Sequence, residues 1–327
     1  MTLVSVIIPT WNRASLVVEA VQSVLLQTHT NVQIIVVDDG STDNTAAAIA
    51  NFSDVLYLYQ SHQGQGAARN LGLRYAQGDY IATLDADDLW SPEFLECCLK
   101  ALLSLELDFV FANWTALKLN GTCEPSCWNK LDKWQSYATT SLPNWRLISP
   151  DQSRQLFLEC CPSPSSALLF RRRAIANGWD ERMRTADDRC LLIEAVLSYP
   201  CWVGFTMQRL WIKRCVGDNI YDGRHALVQI QDSGIHDTQL IMQRFEDRLT
   251  RLEKKMFLRR LVIYELLLSF VYWRKHYMQL QTLNFVLRTL IKNPDFVLDL
   301  GLRLAVKSYK IIRSRLSKTE NSNATFI

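Results

Sequence analysis

No run of about 20 consecutive apolar residues, the length needed to cross a hydrocarbon core, interrupts this sequence of 327 residues. The apolar segment Leu261 to Trp273 spans only thirteen residues and contains Glu265. A secretory leader is also missing: Thr2 to Pro9 runs into a strand with neither a basic start nor a cleavage site, so a cytoplasmic protein is expected. The nine cysteines show no C-x-x-C spacing and no regular framework, although Cys97-Cys98 and Cys160-Cys161 are adjacent. Buried reduced thiols are the expected state. Cys123 and Cys127 lack the partnering His or Cys pair of a metal site. Excess charge of one sign is scarce too, and a formal net charge of +3 is too small to make nucleic acid the main partner. That average hides an asymmetry. From Lys254 to Leu316 there are thirteen Lys/Arg against three Asp/Glu, which leaves the remainder net acidic.

What is present is an α/β pattern. A hydrophobic content of 48% is that of a globular protein, and the length suffices for one large domain with an appendage. Leu3 to Ile8 reads as a strand closed by Pro9-Thr10-Trp11-Asn12-Arg13, and Leu16 to Leu26 carries apolar residues at helical spacing. Val32 to Val37 is a second strand, after which Ser41 to Asp43 offers N-cap chemistry for a helix through Ala50. Val55 to Tyr59 is a third strand, followed by a helix led by Gly64-Gln-Gly-Ala-Ala-Arg69-Asn-Leu-Gly. Tyr80 to Leu84 is a buried fourth strand, and Ser91-Pro92-Glu93 supplies a cap, a first-turn Pro and an acid for the next helix. Such alternation predicts a mostly parallel sheet with helices on both faces. The polar clusters all follow strand ends, so they converge on the edge where open α/β sheets place ligands. The first turn carries Pro9 and Trp11 where a dinucleotide-binding G-x-G-x-x-G needs glycines, which argues against a nicotinamide dehydrogenase.

Asp85-Ala86-Asp87-Asp88 stands at the carboxyl end of the fourth strand. Three acids this close repel one another unless a cation or a solvated loop relieves them. Carboxylate oxygens suit hard cations such as Mg²⁺ or Mn²⁺, which bridge phosphate oxygens in turn. An isolated D-x-D is more often an Asp-rich turn, so other stretches must decide.

Four stretches decide together. Val4-Ser-Val-Ile-Ile-Pro-Thr-Trp-Asn-Arg13, Val37-Asp-Asp-Gly-Ser-Thr-Asp-Asn-Thr45, Gly66-Ala-Ala-Arg-Asn-Leu-Gly72 and Leu84-Asp-Ala-Asp-Asp88 resemble, in order and spacing, the signature of family 2 glycosyltransferases with the GT-A fold. The resemblance is strong to about residue 115, weaker to about 220 and absent beyond. It implies a Rossmann-like GT-A domain over 1–223, with a nucleotide-sugar half at 1–115 and an acceptor half at 116–223. Residues 224–327 remain as a C-terminal, helical and basic extension. The resemblance further implies that Pro9, Thr10, Trp11, Asp39, Arg69, Asp85 and Ala86 line the nucleotide-sugar site, with Asp39 accepting from the ring N–H of the base. Asp87 and Asp85 are the implied ligands of Mn²⁺ or Mg²⁺, Asp87 the stronger of the two.

Downstream, Asn177-Gly-Trp-Asp-Glu-Arg182 and Thr185-Ala-Asp-Asp-Arg189 are similar to the family's G-x-F-D-E and E-D motifs, with Trp179 for Phe and Asp187 for Glu. By this match Asp188 is the catalytic base; alone, Asp187 and Asp188 would read as helix-cap acids. Cys215 stands near the point where many relatives carry His, which leaves a third metal ligand unassigned. Gln208-Arg-Leu-Trp211 departs from the Q-x-x-R-W pattern of processive synthases, so single-residue transfer is expected. Asn113 to Asn144 is rich in Trp, Ser and Thr, and its aromatics either stack on sugar faces or pack internally.

The activity implied is inverting, non-processive transfer of a sugar from a nucleoside-diphosphate sugar, expected to be a UDP-sugar, to a hydroxyl of a glycan or lipid-linked glycan, as in cell-surface polysaccharide synthesis. The basic tail makes an anionic membrane surface a candidate partner, which would hold the cytoplasmic protein peripherally on the inner face. Two other classes remain open. A nucleotidyltransferase would need a basic glycine-rich phosphate loop that Pro9 to Arg13 is not, and intact Asp85, Asp87 and Asp188 argue against an inactive sugar-nucleotide-binding protein.

Overall fold

The computed structural model describes residues 2–126, 132–217 and 226–274, with single positions at 284, 287, 288 and 291. It divides into two compact units, Met1–Arg224 and His225–Ile327.

The first unit opens with β1 (Val4–Thr10), α1 (Ala14–Leu25), β2 (Val32–Asp39), α2 (Thr45–Ile49), β3 (Val55–Gln60), α3 (Gln65–Tyr75) and β4 (Tyr80–Thr83). All residues of β1 and β4 are buried. Strands covered on both faces read as continuous apolar runs rather than as alternation, which is why these were legible. Ser5 is the polar exception in β1: its hydroxyl donates to Gln33 Oε1 at 2.6 Å and accepts the N–H groups of Gln77 and Gly78 at 3.1 and 2.9 Å. A buried hydroxyl satisfied this way ties the first two strands to the turn before β4.

The chain continues through β5 (Leu89–Trp90), α4 (Phe94–Ser104), β6 (Phe109–Leu117), β7 (Cys123–Pro125), β8 (Ala138–Thr139), β9 (Trp145–Ile148), α5 (Pro150–Glu159), β10 (Leu168–Arg171), α6 (Asp187–Ser198) and β11 (Val203–Arg214). The sheet order is β3-β2-β1-β4-β10-β6-β11-β9-β8. Strands β3, β2, β1 and β4 are mutually parallel, β10 enters antiparallel between β4 and β6, and β11 returns parallel to β6. The expected parallel sheet is therefore present, extended by short antiparallel additions: β5 and β9 on β11, β7 on β6, β8 on β9.

One local expectation needs correction, and one left open is decided. Ser91 does not cap α4. The pairing of β5 with β11 draws Ser91 to the sheet, where its N–H donates to the Leu210 carbonyl at 2.9 Å, and α4 begins three residues later at Phe94. The aromatics of the 113–144 stretch that can be followed into the core pack internally: Trp134 is buried, 5.1 Å from the Phe205 ring and 6.4 Å from Phe111, with Tyr137 alongside at 5.5 Å from Phe205. Trp128 lies outside the described residues. Among the cysteines, Cys98, Cys190 and Cys201 are buried free thiols, whereas Cys123 and Cys161 are exposed. Cys127 lies outside the described residues.

The second unit holds α7 (Ala226–Gln229), a π-helical stretch Ile230–His236, α8 (Asp237–Arg244) and α9 (Arg251–Arg274). A reciprocal cap starts α9, since the Thr250 N–H donates to Glu253 and the Glu253 N–H to the Thr250 hydroxyl. Among the described residues no helix is long and apolar enough to cross a membrane. The segment Phe296 to Val306 lies outside the described residues.

Gly78 tests the hub beside Ser5. A Cβ there would meet the Leu3 carbonyl oxygen at 2.6 Å and the Ser5 nitrogen at 2.9 Å, and backbone cannot move aside as a side chain can. Gly78→Ala is expected to destabilise at or above the upper end of the roughly 1–3 kcal/mol typical of overpacking. Urea denaturation checks this; an unchanged midpoint would show that β1 and the turn before β4 separate freely.

Candidate active site

The acids named above come from distant stretches and meet at the carboxyl ends of β1, β2 and β4. Arg69, on α3, is 2% exposed. Its Nη2 donates to Asp85 at 2.6 Å, its Nη1 donates to Asp187, and Asp188 lies 3.7 Å from Nη1. Gln65, one turn earlier, donates to the other oxygen of Asp187 at 2.5 Å. Asn70 fixes the approach: it accepts the Trp179 N–H at 2.8 Å and donates to the Trp179 carbonyl at 2.9 Å, and so anchors the loop that leads into α6. The Glu181 carboxylate also accepts from Asn70 at 2.8 Å and Asn177 donates to Glu194 of α6 at 3.1 Å, so the Asn177–Arg182 motif ties α3 to the segment that carries Asp187 and Asp188.

Ser165 and Ser166, just before β10, divide the acids between them. Ser165 donates both its N–H, at 3.1 Å, and its hydroxyl to Asp188. The Ser166 hydroxyl donates to Asp88 at 2.6 Å and accepts the Asp85 N–H at 3.1 Å. Arg214 braces the same loop from β11: its Nε donates to the Asp87 carbonyl at 2.5 Å, its N–H to Asp88 at 3.1 Å and its Nη1 to Glu19 at 2.5 Å.

One guanidinium among three carboxylates leaves surplus negative charge, and the titration behaviour follows from it. Burial works against the Arg69 charge, yet Asp187, Asp188 and Asp85 together hold its proton more tightly than usual. Burial pushes the Asp187 carboxyl up to about 7, against the pull of Arg69 and with the help of Asp188. Asp188 is raised by burial and by Asp85, with Arg69 and Ser165 opposing. Asp87 is raised to about 6 by burial first and then by Asp85, with Arg13 and Arg214 opposing. Asp88 is held well above the carboxylate range by burial and by its acidic neighbours.

A second cluster lies beside Pro9 and Thr10, which register against Val37 and Asp38 of β2. Asp39 is buried and accepts from Gln60 Nε2 and the Gln63 N–H on one oxygen and from the Gly64 N–H on the other. Trp11 is half-exposed and stacks on His62 at 4.6 Å between ring centroids. The Thr10 hydroxyl is buried with no hydrogen-bond partner among the described residues. Asn12, at φ 51°, ties this turn to the next by accepting the Thr42 N–H at 2.8 Å. Ala86 is buried, its carbonyl facing Arg214. Cys215, half-buried, spends its N–H on the Leu117 carbonyl. Among the described residues no group of three or more His, Cys, Asp or Glu is arranged to hold a metal ion by itself.

Residues 5–179 match the family described as Glycosyl transferase family 2, which is more than half of the chain. The chain belongs to that family. Its matched segment ends before α6, so the place of Asp188 rests on the geometry above. An uncharacterised glycosyltransferase of Rickettsia felis is 42% identical over 122 residues, 36% of this chain and 20% of that protein. Another from Nostoc sp. is 32% identical over 177 residues, 53% of this chain and 52% of the relative. The Escherichia coli UDP-Glc:alpha-D-GlcNAc-diphosphoundecaprenol beta-1,3-glucosyltransferase WfgD is 36% identical over 121 residues, 36% of this chain and 48% of WfgD. The chain therefore spans between a fifth and about half of the length of these curated relatives. Among solved structures, S. aureus TarS 1-349 in complex with UDP-GlcNAc superposes with a TM-score of 0.61 at 19% identity, covering 91% of this chain and 81% of TarS 1-349. Mannosyltransferase PcManGT from Pyrobaculum calidifontis, in complex with GDP-Man and Mn²⁺, gives 0.55 at 18% identity over 95% and 82%. Those likenesses establish the GT-A fold for this family 2 member.

Gln65, Ser165, Ser166, Arg214 and His62 are site residues that sequence reasoning missed. Gln65 sits one helical turn before Arg69 and was within reach of a facing argument. The serines and Arg214 become partners only through β10 and β11, and no local pattern marks them.

Removing Arg69 leaves three carboxylates without their shared cation. Arg69→Met is expected to cost about 3–5 kcal/mol at pH 8, as for a broken buried pair, and clearly less at pH 5. The sign follows from Asp187: its folded value of about 7 already exceeds the ordinary 3.8 and loss of Arg69 raises it further, so both proteins lose stability alike as pH rises from about 3.8 to about 7, and only the variant goes on losing it above that. Urea denaturation at the two pH values checks this. An equal cost at both would show that Arg69 does not balance these acids.

Proposed function

We propose that this family 2 member is an inverting, non-processive glycosyltransferase that moves a sugar from a nucleoside-diphosphate sugar, most simply a UDP-sugar, to a hydroxyl of a glycan or lipid-linked acceptor. The observation that carries the reading is the Arg69 cluster, which brings Asp85 of the donor side within one guanidinium of Asp188. WfgD by its name uses a UDP-sugar and a lipid diphosphate acceptor, TarS holds UDP-GlcNAc, and PcManGT holds GDP-Man with Mn²⁺. These names support a nucleotide-sugar donor and a lipid-linked acceptor here.

In this reading residues 1–115 bind the donor and 116–223 shape the acceptor side. The base lies on Trp11 and donates its ring N–H to Asp39, with Pro9, Thr10 and Ala86 walling the sugar-nucleotide pocket. Asp85 and Asp87 hold Mn²⁺ or Mg²⁺. The fit is chemical: both are oxygen donors, Asp85 adds to the burial that raises Asp87, and a hard cation relieves that repulsion. When bound, the cation neutralises charge on the departing nucleoside diphosphate. Asp188 takes the proton of the acceptor hydroxyl as that oxygen attacks the anomeric carbon. The bond from that carbon to the diphosphate breaks on the opposite face, its electron pair leaves with the diphosphate, and configuration inverts. Ser165 holds Asp188 by two bonds, and burial raises the carboxyl toward the range in which a base works.

The inactive-binder alternative and this reading diverge at Asp188. Asp188→Asn is expected to leave UDP-sugar binding nearly intact and slow transfer by roughly 10²-fold or more, whereas Asp87→Ala should abolish the cation dependence of binding. Calorimetry with and without MnCl₂, beside product formation, checks both. Parallel loss of binding and turnover in Asp188→Asn would make that residue structural.

The reading also holds the protein in the cytoplasm, peripherally on the inner face of a membrane through its basic C-terminal region. The full chain is expected to sediment with phosphatidylserine-containing liposomes at low salt and to release as ionic strength rises. Sedimentation indifferent to lipid charge would reject this partner.

A further inference from the structure

The nucleobase side of the site already holds a planar ring. His62 stacks on Trp11 with centroids 4.6 Å apart and planes 28° apart. Its Nδ1 lies 2.9 Å from Asp39 Oδ2 and 3.0 Å from the Asp39 carbonyl oxygen. Both neighbours can only accept, so Nδ1 carries the proton and donates it. A ring face on Trp11 and a ring N–H on Asp39 are the two contacts that the proposed function gives to the donor's base.

The Asp39 carboxylate offers about four lone-pair sites; three accept hydrogen bonds, and the fourth lies against His62 Nδ1, whose own hydrogen bond goes to the Asp39 carbonyl. Oδ1 accepts from Gln60 Nε2 at 2.7 Å and the Gln63 N–H at 2.8 Å; Oδ2 accepts from the Gly64 N–H at 2.8 Å and faces His62 Nδ1. Because Asp39 is 3% exposed, solvent does not compete for it. A base can bond to Asp39 only if one of these four groups withdraws. Two of the four are backbone groups at the entry to α3, and Gln60 is a half-buried residue of β3. The His62 side chain is 55% exposed and can swing out. Gly40, at φ 80°, leaves room for the His62 backbone, since a Cβ there would meet the His62 nitrogen at 2.8 Å.

We infer that His62 occupies the nucleobase subsite as a surrogate base, which the donor nucleotide displaces from Trp11 and Asp39 in order to bind. This rests on the reading of the site as a nucleotide-sugar site. Two consequences follow. The incoming base must offer a ring N–H to replace that of His62, as uracil, thymine and guanine do. Adenine and cytosine present a ring nitrogen lone pair there, which faces carboxylate lone pairs and is rejected. Affinity is also reduced by the fraction of time that His62 fills the subsite, since apparent affinity scales with the population of the competent state.

The test is calorimetric titration of the full chain, and of full-length His62→Ala, with UDP, GDP, CDP and ADP in MnCl₂. For wild type, UDP or GDP is expected to bind at least about tenfold more tightly than CDP and ADP, a difference of about 1.4 kcal/mol. His62→Ala is expected to tighten the favoured nucleotide by about three- to tenfold, a gain that loss of a wall residue would not produce. Unchanged or weaker binding in His62→Ala overturns the surrogate, and equal binding of ADP and UDP overturns the ring N–H requirement. If no nucleotide binds either protein, the nucleotide-sugar reading itself falls.

Discussion

The site depends on one buried guanidinium shared by carboxylates from separate parts of the chain. Arg69 reaches Asp85 at the end of β4 and Asp187 at the start of α6, and stands 3.7 Å from Asp188. Burying a lone carboxylate is costly, and Asp187, the fully buried one, is admitted to the interior because the cation and the Gln65 amide receive it, while Asp85 and Asp188 stay partly exposed. The helix that carries Arg69 also carries Gln65 and Asn70, so the turn before the arginine and the residue after it hold Asp187 and the loop leading to α6. Asp85 at the end of β4 and the Asp187–Asp188 pair of α6 are therefore joined through a single element, α3.

Charge in the cluster is left incomplete. Three carboxylates face Arg69, while the Asp87 and Asp88 loop adds more acid braced by Arg214 and Ser166. A structural ion-pair network would balance its charges; this one retains surplus negative charge and carboxyls raised by burial. That is the condition in which an added cation and a transferable proton both find a place. The Asp39 cluster is organised differently. Three hydrogen-bond donors and the His62 ring surround the Asp39 carboxylate, so its readiness for a ligand depends on which of them is free to leave.

Much of the fold was legible because its ligand-bearing half obeys local rules. Parallel strands buried on both faces appear as unbroken apolar runs in β1, β2 and β4, and α1 carries its apolar residues at helical spacing. Short-range reasoning failed where a distant strand intervened. Ser91 has every attribute of an N-cap, yet β11 takes its backbone. For Trp134 and Tyr137 the sequence left sugar stacking and internal packing both open, and Phe205 and Phe111 decide it by enclosing Trp134 in the core.

By itself the sequence determined that the acids at 85, 87 and 88 stand at the end of a buried strand, because strand periodicity is a property of neighbouring residues; Asp39, Arg69 and Asp188 were legible through the resemblance of their motifs to those of the family. Only the tertiary structure decided how these groups are paired. Arg69 and Asp187 are 118 positions apart, Ser166 and Asp88 are 78 apart, and Arg214 and Asp88 are 126 apart. Pairings over such separations are set by sheet order and by the loops that close across it, and hydrogen bonds of that range leave no periodic trace in the chain.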